Sequence, residues 1–216
     1  MKVFTKIKEL QEYLADQKHP IGLVPTMGAL HQGHLSLIEH SKKENATTVV
    51  SIFVNPVQFN DKKDFDKYPR LLDDDLNLLE TYNCDVVFAP SVDEMYPEPP
   101  KESYDFGYLD KILEGAYRPG HFNGVAIVVN RLFHIIKPDR AYFGKKDYQQ
   151  YVIIKELVKQ QNLPIEIIAV SILREPNGLA MSSRNLRLSE NELKLAPEIY
   201  KALLLAKNLA YKKSIN

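Results

Sequence analysis

The chain has 216 residues, enough to bury one large core with or without a small appendage. Lys and Arg number 28, as do Asp and Glu, so the formal net charge is zero and no positive field for tRNA or DNA is available. One cysteine excludes an internal disulfide framework, and neither an N-terminal signal nor an apolar run of about 20 residues is present. We therefore expect a cytoplasmic protein with no nucleic-acid or membrane partner.

Apolar periodicity predicts alternating helices and strands along most of the chain. We predict strands at 21–24, 47–54, 85–90, 140–144 and 165–170. We predict helices within 5–18, over 71–81, over 125–136, from a start at 145–147, and from the Ser189 capping box to about 211. Residues 91–105 are predicted to form an irregular surface segment. This pattern indicates an α/β fold: a Rossmann-like parallel sheet with helices on both faces over 1–172, then a small second domain over 173–216.

The stretch PTMGALHQGH occupies residues 25–34, between a predicted buried strand and a predicted helix. Gly28 and Gly33 allow a ligand to approach the backbone, and the free amides at the start of the helix favour an anion. His31 and His34 are three residues apart and share a helical face, a suitable grip for a triphosphate. A structural histidine pair or a zinc site is the alternative, although zinc normally needs further ligands and Cys84 is in an unrelated segment.

Polar residues at other predicted turns extend this candidate site. Asn55 and Gln58 follow a predicted central strand, so they emerge at the same edge of the sheet as the histidines. The acidic run over 73–75 suits the dipole at a helix start and also the ligation of a hard cation. Lys145 and Lys146 at a helix start oppose the dipole, a conflict that a bound phosphate would resolve. We expect His121, by contrast, to be a packed, hydrogen-bonded histidine.

The stretch over 25–34 resembles the HxGH signature of the nucleotidyltransferase superfamily, which includes the class I aminoacyl-tRNA synthetases. The full string is similar to that of one family, the pantothenate synthetases or pantoate:beta-alanine ligases. Further similar blocks occur in the order of that family over nearly the whole chain: FVNPVQF at 53–59, YPR at 68–70, RPGHF at 118–122, GKKDYQQ at 144–150 and MSSRN at 181–185. The resemblance implies condensation of (R)-pantoate with beta-alanine through a pantoyl adenylate, with ATP as substrate, Mg²⁺ as cofactor and a homodimeric assembly.

The resemblance also implies roles for individual residues. The preorganised cations and donors of catalysis would be His31, His34, Lys146 and Arg184. ATP would be bound by Met27, Gly28, His31, His34, Gly144, Lys145, Lys146, Asp147, Leu173, Met181, Ser182, Ser183 and Arg184. Pantoate and beta-alanine would be bound by Pro25, Met27, Asn55, Gln58 and Gln150, and the metal by Asp74. The MSSR segment is similar to the mobile KMSKS-type loop that closes over the triphosphate.

Some features of the sequence depart from the family. Ile127 replaces a usual threonine, Arg131 replaces a frequent lysine, and most of a fuller C-terminal lid is missing, which a truncation or a natural short form would both explain. Two other functions therefore stay open: a nucleotide-binding form without catalysis, and another HxGH adenylyltransferase. The second would need phosphate-binding cations where this chain has Gln58 and Gln150. A tRNA-charging enzyme is disfavoured by the charge balance.

Overall fold

The protein is built on one parallel sheet of six strands in the computed structural model, which describes residues 1–213. The strands in chain order are β1 (Lys2–Phe4), β2 (Ile21–Thr26), β3 (Thr47–Ile52), β4 (Val86–Phe88), β5 (Arg140–Gly144) and β6 (Glu166–Val170). Their order across the sheet is β1-β4-β3-β2-β5-β6, and each neighbouring pair is parallel. The predicted α/β fold is thus confirmed.

Helices cover both faces of this sheet. The described residues form α1 (Ile7–Ala15), α2 (Gln32–Glu44), α3 (Lys62–Asp66), α4 (Leu72–Thr81), α5 (Val92–Met95), α6 (Glu114–Tyr117), α7 (His121–Ile136), α8 (Tyr148–Gln160), α9 (Glu190–Leu195) and α10 (Pro197–Lys213). Short 3₁₀ turns follow β3 at Pro56–Gln58 and β5 at Lys145–Asp147. A third, Ser183–Arg187, lies in the segment 171–189 between β6 and α9, which we call the late loop. No helix of the part that the structure describes combines the length and apolar character needed to cross a membrane.

Alternate side chains of each central strand enter two separate cores, because successive residues of a strand point to opposite faces. Leu23 and Val49 pack with α1, α7 and α8, whereas their neighbours Val24 and Val50 pack with α2 and α4. All four side chains are fully buried. This two-sided burial explains why the strands read as continuous apolar runs in the sequence.

The topology places a crevice beside the carboxyl end of β2. Its two neighbours are β3 and β5, and from these the chain proceeds to opposite edges of the sheet. The connecting helices consequently diverge on either face, and ligands bind in open α/β sheets at this switch point. The stretch over 25–34 lies there.

Several element boundaries differ from the sequence-based predictions. β1 was not predicted, since three residues are too few to show a period. The predicted irregular segment over 91–105 contains α5, which begins where the Ser91 side chain accepts a hydrogen bond from the Glu94 amide. The predicted single last helix is two helices, α9 and α10. Pro197 has no N–H to continue the hydrogen-bond ladder of α9, and it is suited to the first position of a new helix.

The predicted boundary between domains at 172/173 falls in the irregular segment after β6. A single antiparallel bridge, Arg174 with Ala180, is the regular pairing described there. The Ser189 capping box begins α9 as predicted, with Glu192 as its reciprocal partner. Residues 214–216 of the predicted second domain lie outside the described residues.

Candidate active site

A buried carboxylate shapes the turn between β2 and α2. Asp75 on α4 accepts hydrogen bonds from the backbone amides of Ala29, at 2.9 Å, and Leu30, at 2.7 Å. The turn needs glycine at position 28, where φ is +77° and a Cβ atom would lie 2.8 Å from the Asp75 carboxylate. Ala29 is also left-handed, with φ of +49°, and the two bonds to Asp75 hold it there. The Asp75 side chain of α4 therefore holds the turn in this conformation.

His31 and His34 cap the start of α2 reciprocally. His31 is the residue before the helix, and its Nδ1 accepts from the Gly33 amide at 3.1 Å. His34 completes the reciprocal cap, because its Nδ1 accepts a hydrogen bond from the His31 amide at 3.3 Å. The ring centroids are 4.1 Å apart. An imidazole that accepts at Nδ1 carries its proton on Nε2, so both rings present an Nε2–H donor.

Both imidazoles are neutral at physiological pH. Burial lowers the pKa of His34 to about 3, with smaller contributions from His31 and the Lys146 charge. Burial, and then Lys146, also lowers the pKa of His31. Of the predicted set of cations and donors, the two histidines are therefore placed as neutral hydrogen-bond donors. Among residues 1–213 no three His, Cys, Asp or Glu side chains converge in a way that would hold a metal ion.

We expect acidification to destabilise the protein through His34. The unfolded chain binds a proton with a pKa near 6.5, whereas the folded chain binds it only near pH 3. Between these values the unfolded state holds more protons, so the free energy of unfolding falls as the pH drops. The loss from this group between pH 7 and pH 5 is at most about 2 kcal/mol.

Urea denaturation at both pH values checks this expectation against the variant His34→Gln. Glutamine keeps a side-chain acceptor for the capping box and does not titrate. The wild type should lose more stability on acidification than the variant. Equal losses in the two proteins would show that His34 is not the responsible group.

Two adjoining chambers open above the histidine pair. The inner chamber, of about 200 Å³, lies between the carboxyl ends of β2 and β5 and the apolar face of α7. The outer chamber, of about 130 Å³, lies between the turns that precede α2 and α8 and the late loop. His31, His34 and Lys146 line both, so the two form one cleft.

Most of the residues named by sequence lie in this cleft. The inner chamber is lined by Pro25, Met27, His31, His34, Gln58, Gly144, Lys146, Asp147, Gln150, Leu173 and Met181. The outer chamber adds Ser182, Ser183 and Arg184. Gly28, Asn55, Asp74 and Lys145 line neither chamber.

Asn55 lies beneath Gln58, and this position differs from the expected contact with substrate. Its amide nitrogen donates to the Gln58 side chain at 3.1 Å and to the Gly124 carbonyl at 3.0 Å. Its oxygen accepts from the Tyr96 hydroxyl and from the Val57 amide. Both donors and both acceptor positions are thus used within the protein, and Asn55 is fully buried. Asn55 orientates Gln58 and lines neither chamber, and its contact with substrate stays a prediction.

Close packing of α7 fixes the same corner. A Cβ atom at Gly124 would lie 2.5 Å from the Val57 carbonyl oxygen, so α7 approaches the 3₁₀ turn of Gln58 closely only with glycine there. The side-chain amide nitrogen of Gln58 lies 3.2 Å from the Met27 sulfur. Gln58 is thereby held at the junction of the chambers.

The acidic run on α4 divides by helical face. Asp74 is exposed and lines neither chamber, whereas Asp75 is 3 % exposed and holds the turn. Sequence reasoning selected Asp74 and missed the role of Asp75. The signal was present, because Asp75 is four residues before the buried Leu79 and therefore on the inward face of the helix.

Lys146 and Asp147 form another part of the wall of the cleft. The Lys146 ammonium lies 3.1 Å from both carboxylate oxygens of Asp147, and both side chains stay partly exposed toward the cleft. Lys145 is exposed and lines neither chamber. Gln149 is tied to the carbonyls of Leu109 and Ile112, which leaves Gln150 as the amide that faces the cleft.

Sequence reasoning also missed some lining residues. His121 is buried as expected, with Nδ1 at 2.8 Å from the Gln58 carbonyl and Nε2 at 3.1 Å from Arg118, and it lines the outer chamber. Tyr68 lines both chambers; it was noted as part of the YPR block but was given no role.

The fold and the residues of the cleft together indicate the class of protein. The chain is an α/β protein whose parallel sheet presents a histidine-capped helix start and a lysine to one ligand cleft at the switch point. The family model described as pantoate-beta-alanine ligase matches residues 2–216. The chain belongs to the pantoate-beta-alanine ligase family.

Individual relatives agree with this assignment. The pantothenate synthetase of Cytophaga hutchinsonii is 56 % identical over 202 residues, which are 92 % of this chain and 71 % of the relative. That of Aquifex aeolicus is 51 % identical, over 96 % of this chain and 74 % of the relative.

Solved structures of the same family superpose closely. A pantothenate synthetase from Thermus thermophilus gives a TM-score of 0.94 at 45 % identity, covering 99 % of this chain and 77 % of the other. The pantoate-beta-alanine ligase from Francisella tularensis, solved in complex with beta-gamma ATP and beta-alanine, gives 0.89 at 43 % identity, covering 93 % and 78 %.

Proposed function

We propose that this chain joins (R)-pantoate to beta-alanine at the expense of ATP, forming pantothenate, AMP and pyrophosphate. The observation that carries the proposal is one cleft in which histidine donors and Lys146 face the amides of Gln58 and Gln150. Membership of the pantoate-beta-alanine ligase family supports it, as does the Francisella relative solved with beta-gamma ATP and beta-alanine.

The chemistry proceeds in two steps. A carboxylate is a poor electrophile, so a pantoate carboxylate oxygen first attacks the α-phosphorus of ATP. The new O–P bond gives pantoyl adenylate, and the bond from the α-phosphorus to the bridging oxygen breaks to release pyrophosphate. The beta-alanine amine then attacks the acyl carbon, a C–N bond forms, AMP leaves and the amine loses a proton.

The hydrogen-bond donors of the cleft stabilise the negative charge that develops on the phosphates. His31 and His34 contribute Nε2–H groups whose direction the capping box fixes before the ligand arrives. Lys146 adds a positive charge, and Arg184, Ser182 and Ser183 add donors from the late loop. Preorganised donors of this kind are a large part of catalysis because they need no rearrangement during the reaction.

The amides serve a different purpose. Gln58 and Gln150 can hold the hydroxyls and carboxylate of pantoate without neutralising the nucleophile. Holding the carboxylate in line with the α-phosphorus is worth up to roughly 7–11 kcal/mol in favourable intramolecular reactions. The apolar face of α7 forms one side of the inner chamber, and a wall that binds water poorly favours attack by pantoate and protects the adenylate.

Mg²⁺ is part of the proposal as the companion of the ATP phosphates, where it would neutralise charge on the leaving group. The residues fit a phosphate-bound ion better than a protein-bound one. Both oxygens of Asp75 accept hydrogen bonds from backbone amides, and the proposal keeps Asp74 as a contact through water. A homodimer, a cytoplasmic location and contacts from Gly28 and Lys145 to the nucleotide also belong to the proposal.

An AMP-release assay tests the function directly. We expect AMP in stoichiometric amounts with pantothenate only when pantoate, beta-alanine and MgATP are all present. Without beta-alanine, pantoate should still promote exchange of labelled pyrophosphate into ATP. Without pantoate there should be no exchange, since no adenylate forms.

The same assay separates the alternatives. Nucleotide binding without exchange would identify a non-catalytic form, and a dinucleotide-like product would identify another adenylyltransferase. We favour the ligase because Gln58 and Gln150 occupy the positions where that adenylyltransferase would need cations.

A further inference from the structure

Two segments that are distant in sequence meet at the rim of the outer chamber. One runs from α3 to Tyr68, and the other is the late loop that carries Ser183, Arg184 and Arg187. Asp64 joins them. Its Oδ2 accepts from Arg184 Nη2 at 3.0 Å and its Oδ1 from Arg187 Nη1 at 2.8 Å.

Further contacts strengthen the same junction. Arg187 also donates to the Lys67 carbonyl at 3.1 Å, and the Tyr68 hydroxyl lies 3.4 Å from the Ser183 hydroxyl. The Arg184 guanidinium lies 5.9 Å from the centre of the Tyr68 ring. Burial raises the pKa of Asp64, but the hydrogen bonds from Arg187 and Arg184 outweigh it and leave the pKa below its usual value. Asp64 is therefore an anion at neutral pH.

Resting on the function proposed above, we propose that Asp64 is the positioning residue that aims Arg184 at the ATP phosphates. Arg184 lines the outer chamber beside Ser182 and Ser183, and its side chain is 47 % exposed. A long, exposed arginine has many rotamers, and fixing it costs conformational entropy. Asp64 restrains it before ATP binds, so less of that entropy is lost on binding.

Asp64 restrains Arg184 without occupying it. A guanidinium has five N–H groups, and the Asp64 hydrogen bond uses one of those on Nη2. The rest of the fork remains for a phosphate, so Asp64 and a phosphate can be bound together. Arg187 holds the other carboxylate oxygen of Asp64 and is not among the residues that line the chamber.

Nucleotide affinity, measured by calorimetry without pantoate or beta-alanine, tests this inference. We expect Asp64→Asn to weaken MgATP binding about 2- to 10-fold, the range expected when one rotamer-rich side chain must be ordered on binding. Adenosine, which has no phosphate, should bind equally to the wild type and the variant. Arg187→Gln should give a smaller loss in the same direction.

A double-mutant cycle separates positioning from a general structural effect. In an Arg184→Gln background, Asp64→Asn should cause no further loss of MgATP affinity. Asp66→Asn is the matched control, since Asp66 lies on the same short helix and is exposed. It should bind MgATP like the wild type.

The inference is overturned by any of four results. These are unchanged or tighter MgATP binding in Asp64→Asn, equal weakening of adenosine, an undiminished effect in the Arg184→Gln background, or no MgATP binding by the wild type. Its failure is distinct from failure of the proposed function. A wild type that binds MgATP but releases no AMP would refute the ligase and leave the Asp64 cycle interpretable.

Discussion

Replacing His34 with alanine should lower the rate of adenylate formation by about 10²- to 10³-fold, the range seen when one preorganised donor to a developing charge is removed. The variant loses the Nε2–H donor at the junction of the two chambers. It also loses the acceptor of the His31 amide and the ring that packs against His31, so the second imidazole is held less firmly, by the Gly33 amide. Pyrophosphate exchange into ATP in the presence of pantoate measures this step without the later aminolysis.

His34→Gln separates the two losses. Glutamine restores the acceptor of the capping box and should return the thermal stability toward that of the wild type. The exchange rate should recover only in part, because the amide does not reproduce the position of the imidazole N–H. Exchange at the wild-type rate in His34→Ala would exclude His34 from the chemistry.

Replacing Lys146 with alanine should reduce adenylate formation by about 10²-fold, because Lys146 is the cation that lines both chambers near the histidine pair. Removing the ammonium leaves Asp147 without its partner at the mouth of the cleft, and an unpaired carboxylate repels the phosphates. We therefore expect the KM for ATP to rise together with the loss in kcat.

Two control variants show whether the effect of Lys146→Ala depends on the position of the charge. Lys146→Arg keeps the charge and should retain more activity than the alanine variant. Lys159→Ala removes an 80 % exposed lysine from the other end of α8 and should leave the exchange rate unchanged. If the Lys146 and Lys159 variants behaved alike, net charge and not position would explain the effect.

The sequence was sufficient to predict the fold and the location of the cleft. Buried strands with both faces covered read as continuous apolar runs, and a glycine turn between such a strand and a helix marks the carboxyl edge of a sheet. His31, His34, Gln58 and Lys146 could thus be assigned to one edge. Family resemblance added Gln150 and the late loop, which have no periodic signal of their own.

The direction of individual side chains was not predictable in the same way. Asn55 and Gln58 are both amides just after β3, and nothing local distinguishes the one that points into the core from the one that faces the cleft. The difference arises from Gly124 and Tyr96, which are distant in sequence. Likewise, the low pKa of the histidines depends on burial and on Lys146, and both appear only after the chain has folded.

The reciprocal cap at the start of α2 has a consequence for protein engineering. The ring nitrogens that begin the helix belong to the same two side chains that line the cleft, so we expect folding yield and turnover to vary together at positions 31 and 34. A mutant library screened there for product alone would discard misassembled proteins and intact but slow ones alike. Selecting first for soluble expression and then for turnover would tell the two populations apart.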